Sequence, residues 1–405
     1  MLATRSFARL AAVLSFAYIL RGDFLGVPFT ALELCLLAVL VAYVVEKLYS
    51  RETFPDPRRM PYFWPLALLL LAATFAVLVA PDKRAAAGIW KAYFAEPALV
   101  ALVLWDVLRT PGHVHELIGA FFTAGIIVSV FELLAFLYAL GIHRPRLVED
   151  PVVVLYFTAN ATGLFLGPLL AIAGALLLFG TNAQRFHGAF FAVFALPALI
   201  LSFSRGAWLG LVVASLVLIW QHRRRLVLSG ALAAAVVAAV LVPPIRRRIQ
   251  HQFDPKDPLN SAVLRAHVWK ATLQMQANPR HLLFGTGLSG FKHDIQPYKN
   301  FAGYSEDLIY PHNIFLNFWT ETGLLGLVAF VWLAVAWTRN SWSRLRPPGS
   351  QRVYFIGLGA ASVTILVHGM LDVPFFKNDL AFLTLAMVGM QAALIRQQGL
   401  LRQPG

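Results

Sequence analysis

The sequence predicts an all-α membrane protein of about twelve spanning helices, and three observations support this fold class. Of its 405 residues, 59% are hydrophobic and only 13% are charged, whereas soluble globular chains have roughly 45–50% apolar and about 25% charged residues. The mean hydropathy is +0.67. Apolar stretches close to the ~20 residues that a helix needs to cross a bilayer recur along the chain. Together these observations exclude a water-soluble enzyme, a disordered chain and a coiled coil.

The twelve apolar stretches define the predicted helices. The first is short and follows Arg5 and Arg9, as in a signal peptide, but no small-x-small cleavage pattern precedes Arg21. We therefore expect a retained helix. The predicted helices span 6–20, 26–45, 62–80, 86–108, 114–137, 161–180, 187–203, 206–220, 226–243, 312–337, 351–371 and 380–396.

The distribution of Lys and Arg predicts the sidedness of the chain. With the N-terminus inside, the short inner loops carry more basic residues than the short outer loops. Because basic loops stay in the cytoplasm, we expect both termini there. The long segment 244–311 then lies outside. The predicted organisation is spanning helices over 1–243, an outer loop domain over 244–311, and three further helices with a cytoplasmic tail over 312–405.

The outer loop domain has a helical pattern of its own. The basic run Arg246-Arg247-Arg248 indicates a helix start that faces solvent or headgroups. Asn260 or Ser261 caps the next helix, which ends near Asn278-Pro279. Four apolar residues share one face of that helix by spacing, namely Leu264, Val268, Ala271 and Met275. Arg265 and Trp269 lie four apart on an adjoining face.

His312 follows Pro311 at the end of the loop domain. Pro favours the first helical position, so we expect His312 in the first turn of the tenth helix. The positive dipole end there attracts anions and disfavours imidazolium, which leaves a neutral base. Eleven residues later, Gly323 would lie on the same face, roughly 16 Å deeper. The alternative is a His that only caps the helix or lies at the interface.

Two arginines are predicted on the same outer surface as His312. Arg205 lies in the tight turn between two apolar runs, where a cation requires a partner or an anion. Arg265 would face the bundle if the apolar face of its helix packs there. A guanidinium binds phosphate oxygens through a planar fork of donors. Interfacial extension of Arg205 and ordinary surface exposure of Arg265 are the alternatives. Two cations and a neutral base suit metal-free transfer from a diphosphate.

Other polar features carry weaker signals. Gly285-Thr286-Gly287-Leu288-Ser289-Gly290 fits G-x-G-x-x-G, but no strand precedes it, so a loop turn is the better interpretation. For Lys91, Glu96 and Glu132 we favour structural pairing over a polar acceptor pocket. His368, Asp372 and Lys377 form a polar cluster without decisive spacing, and Lys83-Arg84 could simply anchor an outer loop.

Several classes of site are not expected. The single cysteine, Cys35, lies in an apolar run and excludes a disulfide framework. No D-x-D, H-E-x-x-H or Cys/His cluster predicts a metal site, and no cofactor is indicated. The net charge of +14 fits anchoring at anionic lipid surfaces rather than binding of nucleic acid.

The quoted motifs resemble the O-antigen ligase family, which belongs to a superfamily of bacterial membrane proteins that also holds O-antigen polymerases and protein O-oligosaccharyltransferases. The resemblance covers roughly 150–340. It is carried by Ser204-Arg205-Gly206, Arg265-x-x-x-Trp269, Gly285-x-Gly287, and most specifically Pro311-His312-Asn313 running into Gly323-x-x-Gly326. The segment Tyr156 to Thr162, with Asn160, also looks like the start of a helix in this family.

The resemblance implies a metal-independent, inverting glycosyltransferase of a multispanning, GT-C-like fold with one large periplasmic helical loop. The donor would be a glycan on undecaprenyl diphosphate, and the acceptor a sugar hydroxyl on lipid A–core, at the periplasmic face of the bacterial inner membrane. His312 would be the catalytic base, and Arg205 and Arg265 would bind the diphosphate. Substrate contacts are expected from Asn313, Asn160, Lys83, Arg84, Trp269 and Lys377.

Alternatives remain within and beyond the superfamily. A polymerase tends to have two large outer loops, whereas the loop near 138–151 is short. A protein O-oligosaccharyltransferase would be expected to have a long outer C-terminal extension, whereas this chain is expected to end inside at Gly405. A lipid-linked glycan transporter is the rival from another class, although we find no internal repeat. A non-catalytic assembly scaffold is a weaker option.

Overall fold

The structure is a computed structural model that describes residues 1–16, 20–24, 27–144, 151–156, 158–253, 260–299, 308–344 and 351–400. In these ranges the chain is all-α apart from one short hairpin, and 80% of it is helical. The predicted loop domain is therefore described except for 254–259 and 300–307, and the last five residues of the predicted tail also lie outside the described ranges.

Seventeen α-helices follow one another in the described ranges. A π-helical segment, Trp90–Ala95, joins α4 to α5 without a break. The helices are α1 Leu2–Val13, α2 Ala31–Ser50, α3 Phe63–Val79, α4 Lys83–Ile89, α5 Glu96–Val107, α6 Pro111–Gly141, α7 Ala159–Phe179, α8 Asn182–Leu201, α9 Arg205–Trp220, α10 Arg225–Leu241, α11 Pro243–Gln250, α12 Ser261–Gln276, α13 Pro279–Phe284, α14 Phe291–Asp294, α15 Ile314–Ser343, α16 Arg352–Gly369 and α17 Asn378–Leu400.

Seven of the described helical stretches are long and apolar enough to cross a membrane: Lys83–Val107, α6, α7, α8, α15, α16 and α17. The pair α10 and α11, bent by 86°, would make an eighth. Each of the twelve predicted stretches contains a helix, but four of these helices are shorter than 18 residues: α1, α3, α9 and α10, at 12, 17, 16 and 17 residues. The structure thus supports a multi-pass membrane protein with at least seven candidate spans among the described residues.

The start of α2 differs from the prediction because of a hairpin that the hydropathy pattern did not indicate. Strand β1, Arg21–Phe24, pairs antiparallel with β2, Val27–Thr30. Thr30 then caps α2: its side chain accepts a hydrogen bond from the Glu33 amide, and the Glu33 carboxylate accepts one from the Thr30 amide at 2.7 Å. This reciprocal cap fixes the helix start at Ala31 rather than near residue 26.

The centre of the bundle is formed by α7, α16 and α17. The most apolar windows of α7 and α16 are 78% buried, and that of α17 is entirely buried. In contrast, α10 buries none of its residues. An apolar helix of this kind is suited to contact with lipid, which places α10 at the edge of the bundle.

The N-terminal part of α15 differs from the prediction in two respects. Pro311 and His312 precede the helix, whose cap is Asn313: its side chain accepts hydrogen bonds from the amides of Phe315 and Leu316, at 3.0 and 3.1 Å. Gly323, at φ 69° and ψ −174°, interrupts the helix. The predictions that Pro311 starts the helix and that Gly323 lies on the face of His312 are therefore wrong.

Three of the four residues predicted on the apolar face of α12 are buried, whereas the fourth, Leu264, is only partly buried. Val268, Ala271 and Met275 are buried, and they pack against residues that follow in the loop domain, namely Phe291, Ile295 and Leu308. The cap is Asn260, whose side chain accepts hydrogen bonds from the amides of Ala262 and Val263. The loop domain thus has a small hydrophobic core of its own.

Structural pairing holds for only part of the predicted set: Lys91 has a charged partner, Glu132 has a hydroxyl partner, and one carboxylate oxygen of Glu96 is buried without a hydrogen-bond partner. Lys91 forms an ion pair of 2.7 Å with buried Glu33, and its ammonium lies 4.0 Å from the centre of the Phe29 ring. Glu132 accepts a hydrogen bond of 3.2 Å from Thr162. These contacts stabilise helix packing, because a charge in the membrane is costly unless it is paired.

Candidate functional site

Two arginines from different helices meet at one hydroxyl group. Ser261 Oγ accepts a hydrogen bond of 2.8 Å from Arg205 Nη2 and one of 2.6 Å from Arg265 Nη1. Arg205 stands at the first position of α9, and Arg265 lies one turn into α12. Among the described residues, the acceptors of both guanidinium groups are neutral oxygens. Two like charges held this close favour an anion between them.

The turn before α9 fixes the position of Arg205. Phe203 has φ 50°, so the chain reverses sharply between α8 and α9. Gly206 lies against the ring of His368: a Cβ at this position would come within 2.5 Å of that ring. Only a glycine allows α16 to approach so closely, and the first turn of α9 is thereby fixed against it.

A tryptophan joins the arginine helix to the histidine segment. Trp269 Nε1 donates a hydrogen bond of 2.9 Å to the carbonyl oxygen of Pro311. Arg265 and Trp269 lie one turn apart on α12. The same helix therefore contacts Arg205 through Ser261 and positions the residue next to His312.

His312 faces a buried carboxylate. Its Nδ1 lies 3.5 Å from Asp372 Oδ1, and the His312 side chain keeps 24% of its surface exposed, against 6% for Asp372. Burial acts to raise the pKa of Asp372, but the nearby His312, with smaller effects of the charges of His368 and Arg265, lowers it below its usual range. Asp372 is therefore an anion that lies beside the imidazole and orients it.

Residues beside His312 hold it in an uncommon backbone conformation. His312 has φ 52°, and the Tyr310 ring packs edge-on against the imidazole with 4.9 Å between ring centres. Asn313 Nδ2 donates a hydrogen bond of 3.1 Å to the carbonyl oxygen of Met370. A left-handed backbone at a non-glycine residue is often found at functional sites. Here it leaves the imidazole partly exposed beside Asp372.

The structure brings together five of the predicted site residues: Arg205, Arg265, Trp269, His312 and Asn313. Asn160 lies in the first turn of α7, one turn before Gly163, which packs on Ser204 and Ala207 next to Arg205.

The three remaining predicted residues lie on other elements. Lys83 and Arg84 are exposed at the start of α4. Lys377 precedes α17, and its positive charge attracts the buried carboxyl group of Asp379. No described contact joins Lys83 or Lys377 to the arginine pair.

Sequence reasoning missed three contributors. Ser261 was considered only as a cap, and Arg248 only as part of a solvated run. Arg248 instead lies beside Arg205, whose Nη1 donates a hydrogen bond of 3.1 Å to the Arg248 carbonyl oxygen. Asp372 was noted in a cluster without decisive spacing. The sequence could have pointed to Asp372 only through its position near His368 in an outer segment. Its partner His312 lies 60 residues earlier in the chain, so the pairing becomes visible only in the folded structure.

The G-x-G-x-x-G segment packs against the break in α15. Thr286 N donates a hydrogen bond of 2.6 Å to the carbonyl oxygen of Thr320, and Ser289 N donates one of 2.5 Å to the Glu321 carboxylate. Gly285 and Gly323 have positive φ and lie backbone to backbone. The interpretation as a turn, not a dinucleotide site, agrees with this packing, which anchors the loop domain on α15.

The arrangement combines a partly exposed imidazole oriented by a carboxylate with converging guanidinium groups. Such a group of side chains can take a proton from a hydroxyl and stabilise negative charge on a phosphate. Within the described ranges, no three His, Cys, Asp or Glu side chains are grouped so that they could hold a metal ion.

Comparison with known proteins gives one family. Residues 190–331 match the sequence model described as O-antigen ligase, and no curated protein matches the chain significantly. The matched segment contains Arg205, Arg265 and His312 together with the whole of the predicted loop domain, 244–311. Over this segment, the chain is similar to the O-antigen ligase family, which supports a place in the ligase and polymerase superfamily of membrane glycan-transfer proteins.

Proposed function

We propose that this protein is an O-antigen ligase, which transfers a glycan from undecaprenyl diphosphate to a sugar hydroxyl of lipid A–core. The observation that carries the proposal is the convergence of three distant parts of the chain: Arg205 and Arg265 share Ser261, and the helix of Arg265 bonds to the carbonyl beside His312. The family match over these residues supports it.

The diphosphate of the donor binds between the two guanidinium groups. Each offers a planar fork of donors, and paired phosphate oxygens match this geometry. In the described structure the forks meet at a neutral hydroxyl, so an anion would replace repulsion between like charges by attraction. No metal ion is required, because the guanidinium groups supply the positive charge that the leaving group needs.

His312 acts as the general base. It takes the proton from the acceptor hydroxyl as the oxygen attacks the anomeric carbon, and the bond from that carbon to the phosphate oxygen breaks. The electron pair leaves with the diphosphate, and attack from the opposite side inverts the anomeric configuration. Asp372, ionised and 3.5 Å from Nδ1, stabilises the imidazolium that forms.

The remaining predicted residues are proposed to line the substrate path. Asn313 and Trp269 border His312 and contact the acceptor or donor sugar. Asn160, beside the turn of Arg205, contacts the donor. The exposed cations Lys83 and Arg84, and Lys377 near α17, attract the anionic substrates.

The membrane arrangement belongs to the same proposal. The chain spans the bacterial inner membrane about twelve times in a GT-C-like fold, with the short apolar helices among the spans. Residues 1–243 and 312–405 form the membrane part, and 244–311 form the periplasmic domain. Both termini are cytoplasmic, and the site opens to the periplasm where both lipid substrates reside.

Acceptor competition tests the proposed reaction. The purified protein is reconstituted with undecaprenyl diphosphate-linked glycan and offered lipid A–core, a second lipid-linked glycan and a pilin-like protein. We expect the glycan on lipid A–core. Transfer to the second donor would identify a polymerase, transfer to protein an oligosaccharyltransferase, and movement across vesicles without a covalent product would identify a transporter.

Substitution of His312 tests the mechanism. His312→Ala should lower kcat by roughly 10²–10⁴-fold, the usual contribution of a general base, with unchanged thermal unfolding. His293→Ala is a matched control, because His293 lies in the loop domain with 79% of its side chain exposed. Full activity of His312→Ala would refute the assigned role.

A further inference from the structure

A third arginine lies beside the pair that is proposed to hold the diphosphate. It comes from α11, the short helix that turns by 86° from the end of α10. Arg248 Nε donates a hydrogen bond of 3.4 Å to the carbonyl oxygen of Phe203, in the turn before Arg205. The Arg248 carbonyl oxygen accepts a hydrogen bond of 3.1 Å from Arg205 Nη1. The like charges of Arg248 and Arg205 therefore lie close enough to repel each other.

The faces of α11 separate Arg248 from its neighbours. Ile245, Arg248 and Ile249 are partly buried, whereas Arg246 and Arg247 are exposed. Residues three and four apart share a helix face, so one arginine of the run is directed inward with the two isoleucines. The sequence pattern alone suggested that the whole run Arg246-Arg247-Arg248 faces solvent or headgroups. In the structure only Arg246 and Arg247 are exposed.

The charge of the donor changes during the reaction. A glycan attached through a diphosphate to a prenyl chain carries two negative charges, one on each phosphate. When the bond between the anomeric carbon and the phosphate oxygen breaks, that oxygen keeps the electron pair. The leaving prenyl diphosphate then carries a third charge, while the proton of the acceptor hydroxyl stays on His312. The positive charges of two guanidinium groups balance the two negative charges of the donor, and those of three guanidinium groups balance the three charges of the leaving group.

We propose that Arg248 is a third phosphate-binding cation, matched to the negative charge that appears as the glycosyl bond breaks. The inference rests on the proposed function, since it requires a lipid diphosphate in the arginine site. Arg248 therefore contributes more to the transition state and to the product complex than to donor binding, and its loss lowers kcat more than it raises KM.

Binding of two probes of different charge tests the inference. The protein in phosphatidylcholine nanodiscs is titrated at pH 8 with farnesyl diphosphate, which carries a third negative charge, and with its sugar-linked diester, which lacks that charge. Arg248→Gln should weaken binding of farnesyl diphosphate by about tenfold or more, as for loss of a charge-assisted hydrogen bond. Binding of the diester should weaken several-fold less, and Arg248→Lys should recover most of both affinities.

Arg247→Gln is the matched control, because Arg247 is the exposed neighbour on the same helix. It should bind both probes like the unmodified protein, and all variants should unfold at the same temperature. Equal weakening of both probes by Arg248→Gln, or none, would overturn the inference. So would an effect that arises only in phosphatidylglycerol nanodiscs, since Arg248 would then bind lipid headgroups.

The two proposals fail in different ways. If the unmodified protein binds neither probe and Arg205→Ala changes nothing, the proposed donor site itself is wrong. If the unmodified protein binds both, Arg205→Ala loses both, and Arg248→Gln behaves like the unmodified protein, only the third-cation inference is wrong.

Discussion

Asp372 and Ser261 define the electrostatic state of the site at the scale of single residues. Asp372 is buried, and its lowered pKa keeps it ionised beside His312. Ser261 separates two guanidinium groups with a neutral hydroxyl. The imidazole therefore has an adjacent anion, while the hydrogen-bond acceptors of the arginine pair among the described residues are neutral oxygens. This asymmetry leaves the arginine pair available for a substrate anion.

Replacing Asp372 should slow the reaction. In Asp372→Asn we expect kcat to fall, because the imidazolium that forms during the reaction loses its counter-ion. Steady-state kinetics of the purified variant measure the change, and an unchanged kcat would contradict the pairing.

The same carboxyl contributes to stability with a defined sign. Because the folded pKa of Asp372 is lowered, its contribution is complete above the unfolded value of about 4 and is lost as pH falls through the folded value. Unfolding temperatures of Asp372→Asn and the unmodified protein should therefore converge as pH is lowered below 4. Parallel curves down to the most acidic pH would argue against this contribution.

A built-in counter-ion at position 261 should inactivate the site. Ser261→Asp places a carboxylate between Arg205 and Arg265 and should prevent the diphosphate from binding, while an acidic residue in the first turn of α12 favours the helix. Ser261→Ala removes only the hydroxyl and should lower donor affinity less than tenfold. Titration with farnesyl diphosphate compares the two, and tight binding by Ser261→Asp would oppose the proposed donor site.

At the scale of elements, the break in α15 determines how the loop domain sits. Gly323 has φ 69°, and a Cβ there would come within 2.3 Å of the Leu283 carbonyl oxygen. Trp319, which lies one turn before Gly323, donates a hydrogen bond of 2.9 Å from Nε1 to the Leu282 carbonyl oxygen. The helix that begins beside His312 is thus joined to the loop domain by a close backbone approach at Gly323 and by a side-chain hydrogen bond from Trp319, which help to position the loop domain relative to His312.

Gly323→Ala should destabilise the protein by about 1–3 kcal/mol, the usual cost of a strained backbone. It should also lower activity more than its stability predicts, because α13 must move away from α15. The matched control is Gly230→Ala in α10, where a Cβ would meet no atom within 4 Å and the change should stay within about 0.5 kcal/mol. Denaturant unfolding measures the stabilities of the two variants. Equal stabilities would show that the close approach of α13 to Gly323 does not require a glycine.

At the scale of the whole molecule, the site requires all three arginine- and histidine-bearing segments on one side of the membrane. Cys35 is the single cysteine, so labelling sites can be introduced in a Cys35→Ser background. We expect His293→Cys in the loop domain to react with an impermeant maleimide in intact cells. Arg224→Cys, between α9 and α10, should react only after permeabilisation, and the reverse pattern would overturn the proposed topology.

The sequence by itself determined that the chain crosses a membrane repeatedly as helices, because apolar length and basic bias are local properties. It also selected Arg205, Arg265 and His312 as candidate site residues, because two cations and a base predicted on one outer surface suit a diphosphate and because their motifs resemble those of a known family. Only the tertiary structure decided that Ser261 joins the two arginines, that Arg248 lies beside them, and that Asp372 pairs with His312. It also corrected the start of α15 and the role of Gly323. These features depend on contacts between residues distant in the chain, which hydropathy and helical spacing do not encode.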